Sequence, residues 1–283
     1  MCKIFGLATT AGLQMPALHA LIARSHKSLT ATQRDGFGFA LGSSSGDHYI
    51  EKWDSPANFP GAGQWPSIRA NLGGIPVEAD CWAAGTFPAA PGGAFIAHAR
   101  TATCSRGAEN AHPHASHGWA VVHNGVVQPT KGRTKPCDSI HILDSLVAHK
   151  GATKLHADVA GYLAILAIDP RGRLSALRDE RAPLVVAWVP SLATWAFAST
   201  EAILAEIVAA PHDKAYTLQP YQYATHTGRA WSHEEVKKWD ANKAVSSKAS
   251  KAFSDSRPLL NDEFPEYSGS KWYTSHKNSK WNL

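Results

Sequence analysis

Cys2 stands beside the initiator methionine at the head of a short apolar run, Lys3-Ile4-Phe5-Gly6-Leu7-Ala8. Removal of Met1 would leave one residue carrying both a thiol nucleophile and a free α-amine. An α-amine of reference pKa ~7.7–8.0 suits a thiol of pKa ~8.5 as its base, because that thiol is only partly ionised near neutrality. Three further segments hold groups that could complete such chemistry. Arg100-Thr101-Ala102-Thr103 leaves an apolar strand, so the Arg100 guanidinium can take a carboxylate in bidentate fashion with the Thr103 hydroxyl as a further donor, or can serve as a structural ion-pair partner. His123-Asn124-Gly125 ends a second strand. It reads either as a hairpin turn or as an oxyanion site made by the Asn124 amide and the Gly125 N–H, where one lost donor costs about 3–4 kcal/mol. Asp138 opens a helix, as its N-cap or as a grip for a substrate ammonium.

The elements that must position these groups are legible as pattern. Lys3 to Thr9 reads as a buried strand, and 15–28 as a helix with Leu18, Leu21 and Ile22 on one face. Gly36 to Leu41 and Tyr49 to Trp53 form a hairpin around the turn cluster 42–47, and 54–93 is Pro- and Gly-rich irregular cover, with a brief helical piece at 67–72. Ala94 to Arg100 and Trp119 to His123 are strands, followed by a helix to His149 with Ile140, Leu143, Leu146 and Val147 on one face. Four short strands follow at 162–169, 174–178, 184–189 and 195–198, then a helix at 201–209 entered through Ser199-Thr200. Strands grouped between helices, without βαβ alternation, predict an α+β fold with antiparallel sheets.

Composition narrows the function classes. The 283 residues are 44% hydrophobic and 18% charged, which suits one large domain over 1–232 with an appendage. Residues 233–283 are rich in Lys, Ser, Asn and Asp with scattered aromatics, the composition of a disordered or docking tail. A net charge of +5 spread along the chain gives no nucleic-acid footprint, and no apolar stretch is long enough to cross a membrane. A cytoplasmic protein with four reduced cysteines is expected, because the N-terminus lacks a signal-peptide layout and no Cys-x-x-Cys pair is present.

In order along the chain, these segments form a pattern. Cys2-Lys3-Ile4-Phe5-Gly6, Asp35-Gly36-Phe37-Gly38, His98-Ala99-Arg100-Thr101-Ala102-Thr103, Asn110-Ala111-His112-Pro113-His114, Val121 to Val127 and Asp138-Ser139 together resemble the class II glutamine amidotransferase domain of the N-terminal-nucleophile (Ntn) hydrolases. The blocks are closest to the glutaminase domain of glucosamine-6-phosphate synthase, and weaker similarity continues through 178–184 and 197–200, so that the resemblance covers residues 2–210. It implies a four-layer αββα sandwich of two antiparallel sheets. It further implies that Cys2 attacks the glutamine side-chain amide, with its own α-amine relaying the proton and Asn124 with Gly125 holding the oxyanion. Arg100 and Thr103 would bind the α-carboxylate, Asp138 the α-ammonium, and His112 would lie among the substrate-binding residues.

Three departures from the family pattern stand out. Cys104-Ser105 replaces His-Gly after Thr103, Ile140 replaces the acidic residue after Asp138-Ser139, and Arg34 abuts Asp35 without the usual spacing. His98, Cys104, His112, His114, His117 and His123 fall in one short span, and Cys104 with His112 and His114 could in principle ligate a metal. No signature spacing supports that set and the same His-Pro-His block occurs in metal-free relatives, so no metal and no cofactor is expected. The implied function is a glutaminase subunit that passes ammonia to a separate synthase or ligase. Two alternatives are a free amidohydrolase acting on a γ-glutamyl-type amide and a catalytically silent binding protein that retains Met1.

Overall fold

The computed structural model describes residues 2–9, 15–42, 48–61, 93–102, 107–131, 135, 137–226 and 231–238. Thirteen strands among them form two antiparallel sheets. The first has the order β11-β9-β10-β1-β4-β2-β3, from β1 (Lys3–Thr9), β2 (Phe37–Gly42), β3 (His48–Trp53), β4 (Ala94–Ala99), β9 (Val185–Val189), β10 (Thr194–Ala198) and β11 (Tyr216–Thr217). The second has the order β13-β12-β8-β7-β6-β5, from β5 (His114–Ser116), β6 (Trp119–Pro129), β7 (Val159–Ile168), β8 (Leu174–Arg178), β12 (Gln222–His226) and β13 (Trp231–Glu235).

Three apolar clusters separate four layers, and strand alternation assigns each residue to one of them. Phe5 and Leu7 of β1 and Phe95, Ala97 and Ala99 of β4 pack with Leu18, Leu21 and Ile22 of helix α1 (Met15–Thr30) and with Leu204 and Ile207 of a helix at Glu201–Val208. On their other faces Ile4, Ala8 and Ile96 meet Ala120 and Val122 of β6 and Ala164 and Leu166 of β7, between the sheets. The opposite faces of β6 and β7, through Val121, Leu163 and Ile165, pack on Ile142, Leu143 and Leu146 of helix α2 (Ser139–His149). A short helix α3 (Leu155–Asp158) leads into β7, and the helix at Glu201–Val208 is α4. The architecture is the αββα sandwich implied by the resemblance.

Register then brings distant segments together. Lys3 of β1 and Phe37 of β2 both pair with Ala99 of β4, so Cys2, the Asp35-Gly36 turn and Arg100 share one end of the first sheet. Backbone bonds tie that end: Asp35 N–H donates to Arg100 O at 3.1 Å, and Arg100 N–H to Gly36 O at 2.9 Å. Gly38 is required beside it, because a Cβ there would overlap the His112 carbonyl.

Most expected elements are present within two or three residues of their bounds. Two expectations fail: the boundary expected between 232 and 233 falls inside β13, which pairs with β12 and is followed by the buried Val236, and the strand expected to end at His123 continues through Asn124-Gly125 to Pro129, in unbroken pairing with β7. Asn124-Gly125 is therefore not a hairpin turn. The turn cluster 43–47, the helical piece at 67–72 and most of the 54–93 cover lie outside the described residues.

Candidate active site

The alternation that builds the core also aims the site residues. In β1 the even positions Ile4 and Ala8 face the second sheet, and Cys2 continues that row. In β4, Ala94 and Ile96 face the same way, ahead of His98 and Arg100. In β6, Ala120 and Val122 face back toward the first sheet, and Asn124 is next in their row. Four polar groups at the ends of or within three strands thus enter one apolar interlayer at its end. There a cleft is lined by Cys2, Arg100, His112, Gly125, Cys137 and Asp138, with Thr101, His123 and Ser139 completing the wall.

Cys2 is half-buried, and its sulfur accepts from Thr101 N–H at 3.4 Å and faces Thr101 O at 3.5 Å. Burial pushes its thiol above the ordinary range, with the Thr101 bond as a partial offset. A thiol held in the neutral form needs a base to become a nucleophile. Arg100 is 3% exposed at the end of β4. Asn124 is 1% exposed, and neither end of its side-chain amide has a partner among the described residues. An amide left so costs about 1–3 kcal/mol, which a bound ligand would recover. Gly125 has φ +147°, where a Cβ would overlap the Tyr162 carbonyl oxygen and approach His123 Nε2 to 2.8 Å.

Asp138 precedes α2 but makes no capping hydrogen bond with its side chain. Its Oδ2 instead accepts Val127 N–H at 3.0 Å, and its Oδ1 faces Ser139 Oγ at 3.4 Å and Cys137 Sγ at 3.8 Å. The N-cap alternative is thereby set aside, and the carboxylate sits in the cleft wall.

Behind the cleft lies a cluster of buried histidines. His112 Nε2 and His123 Nδ1 meet Ser139 Oγ at 2.7 and 2.9 Å, and His98 Nε2 donates to His123 O at 3.1 Å. The His98 and His112 rings are 4.0 Å apart, and those of His112 and His114 4.7 Å. Burial first, then repulsion from the neighbouring rings and, for His114, above all from Lys52, holds His98 at about 3 and His112 and His114 well below the ordinary imidazole range. These rings are neutral near pH 7.

Of the residues singled out in the sequence, Cys2, Arg100, His112, Gly125 and Asp138 line the cleft, and Asn124 adjoins it on β6. Met1, Thr103 and Cys104 lie outside the described residues. Sequence reasoning gave no role to Thr101, whose backbone holds the Cys2 sulfur, nor to Ser139, which joins two histidines. It also missed Asp35, whose Oδ2 accepts Ala102 N–H at 2.9 Å. The Asp35-Gly36-Phe37-Gly38 block was the available signal for that carboxylate.

No protein-family profile and no curated protein matches the sequence. Solved structures do. The glutamine phosphoribosylpyrophosphate amidotransferase of B. subtilis, complexed with ADP and GMP, superposes with a TM-score of 0.52 at 15% identity over 83% of this chain and 49% of that one. A structure described as the allosteric regulatory enzyme of purine biosynthesis gives 0.57 at 15% identity over 84% of this chain and 50% of that one. The chain spans about half the length of each. Two antiparallel sheets between helical layers, and this likeness in three dimensions, give the chain the αββα fold that the glutamine phosphoribosylpyrophosphate amidotransferase also adopts.

Proposed function

We propose that the chain is a class II glutamine amidotransferase subunit that hydrolyses the glutamine side-chain amide through Cys2. The observation that carries this reading is the convergence of Cys2, Arg100, Gly125 and Asp138 from four separate segments on one cleft. Arg100, aided by Thr103, takes the α-carboxylate, and Asp138 takes the α-ammonium. Val127 N–H fixes the Asp138 carboxylate toward that task. His112 forms part of the surrounding wall. Clamping both ends of the amino acid sets its amide carbon against the thiol, which lowers the barrier through positioning.

Once Met1 is removed, the α-amine of Cys2 accepts the thiol proton while sulfur attacks the amide carbon. Negative charge develops on the carbonyl oxygen and is met by the Asn124 side-chain amide and the Gly125 N–H. Collapse of the tetrahedral adduct expels ammonia, which leaves with the proton from the α-amine, and a thioester remains on sulfur. Water attacks the thioester and releases glutamate. The ammonia passes to a separate synthase or ligase, docked through the 54–93 cover or the C-terminal tail beyond β13, in a cytoplasmic setting.

Glutamate release from glutamine tests this reading, with Cys2→Ala as the comparison. The account expects turnover in the parent and a loss of at least about a thousandfold in the variant. Equal rates in the two proteins would overturn it. Thiol labelling at Cys2 without glutamine hydrolysis would redirect the reading to another amide.

A further inference from the structure

The histidine cluster extends beyond what amide hydrolysis uses. His112 and His114 approach from the segment leading into β5, Cys137 from the turn before α2, and one donor atom of each lies within 4.8 Å of the others. All three side chains are buried. His112 Nδ1 and His114 Nε2 are buried nitrogens without a hydrogen-bond partner among the described residues. This differs from the set the sequence suggested, because Cys137 takes the place given there to Cys104.

We propose that His112, His114 and Cys137 form a binding site for one borderline-soft divalent cation of the zinc type. The donor set is two imidazoles and one thiol, the ligand chemistry zinc prefers, with a fourth position left for water. Tetrahedral zinc holds nitrogen and sulfur ligands at roughly 2.0–2.3 Å, which places them about 3.3–3.6 Å from one another. Side-chain rotation of about 1 Å from the present separation closes the site.

The surroundings support the same assignment. His112 Nδ1 faces no acceptor, so the ring proton belongs on Nε2, where it donates to Ser139 Oγ at 2.7 Å. That leaves the lone pair on the buried Nδ1, which has no partner among the described residues, free to take a metal. An imidazole that ligates through one nitrogen and donates through the other is the usual outer support of a zinc ligand. On binding, the Cys137 thiol would lose its proton, and the thiolate would offset part of the metal's charge beside Lys52 and Arg100. The Asp138 carboxylate, 3.8 Å from Cys137 Sγ, adds to that offset. His112 and Cys137 also line the cleft holding Cys2, so the cation would brace one wall of that cleft.

The test reads metal binding rather than glutamine turnover and uses the full chain carrying Cys2→Ala, which removes the chelating aminothiol at the N-terminus. After chelator treatment and dialysis, Co2+ is added and the near-ultraviolet thiolate-to-metal charge-transfer absorption is titrated, then displaced with Zn2+. One cobalt per chain is expected, with the absorption abolished by Cys137→Ser and affinity reduced at least tenfold by His114→Asn. Ser139→Ala should weaken binding by roughly ten- to a hundredfold, as loss of an outer-shell partner does. If Cys137→Ser fails to fold, Zn2+ protection of Cys137 against alkylation in the same Cys2→Ala chain gives a second reading. Absorption that survives Cys137→Ser, no stoichiometric cobalt, or no protection of Cys137 would overturn the site.

Discussion

Residue by residue, the cleft divides into groups held for binding and groups held for geometry. Asp138 belongs to the first, and its carboxylate is already oriented by Val127 N–H. Asp138→Asn keeps an acceptor for that bond while removing the charge. It is expected to raise KM for glutamine by about tenfold or more, with little change in melting temperature, as befits loss of a charged pairing worth about 1.5–3 kcal/mol. Steady-state kinetics with thermal unfolding checks this, and an unchanged KM would remove Asp138 from the substrate. Gly125 belongs to the second group. Gly125→Ala forces a side chain into a positive-φ position against the Tyr162 carbonyl and is expected to destabilise the fold by about 3 kcal/mol or more in urea titration. The candidate residues were readable in the sequence because their types are chemically specific. Thr101 was not, since it holds Cys2 through its backbone N–H and C=O, which every non-proline residue possesses.

At the scale of elements, strand ends do the gathering. β1, β2 and β4 reach a common end because Lys3 and Phe37 both face Ala99, and β6 meets that end across the interlayer through His98 and His123. β1, β4 and β7 were legible as apolar runs. The continuation of β6 was not, because Asn124-Gly125 is a strong turn signal until pairing with Ala164 and Leu163 overrides it. β5, β12 and β13 escaped notice for a related reason. His114–Ser116, Gln222–His226 and Trp231–Glu235 are short and polar, and they become strands only by adding to β6, β8 and β12. Arg178, at the end of β8, joins two connections by donating to the carbonyls of Ala182 and Glu180 before β9, at 2.9 and 3.1 Å, and of Leu218 after β11, at 2.9 Å. Arg178→Met leaves those carbonyls without their donor and should cost about 2–4 kcal/mol by urea unfolding. A cost below about 0.5 kcal/mol would show that the clamp carries no load.

For the molecule as a whole, buried neutral histidines set the response to acid. His226 is the clearest case away from the cleft, 1% exposed, 5.0 Å from the Trp231 ring, and held by burial at about 4. The unfolded chain takes up a proton there near the ordinary value of about 6.5, whereas the folded chain resists until about 4. Its contribution is therefore fully present above about pH 6.5 and is lost as the pH falls toward 4. His226→Phe should narrow the gap between melting temperatures at about pH 7.5 and about pH 5, and an unchanged gap would contradict this. Among the described residues no helix is long and apolar enough to cross a membrane. The α+β class was readable from strands grouped between helices and the four layers from the family resemblance, but sheet order was not, since it depends on which strands meet across long intervals. The central claim concerns the first residues of the chain, and the mass of the intact protein tests it most directly. After exposure to a glutamine-analogue inactivator that alkylates nucleophilic cysteines, the expected product lacks Met1 and carries one adduct, mapped to Cys2. A native-host protein that retains Met1, or an adduct absent from Cys2, would contradict the account.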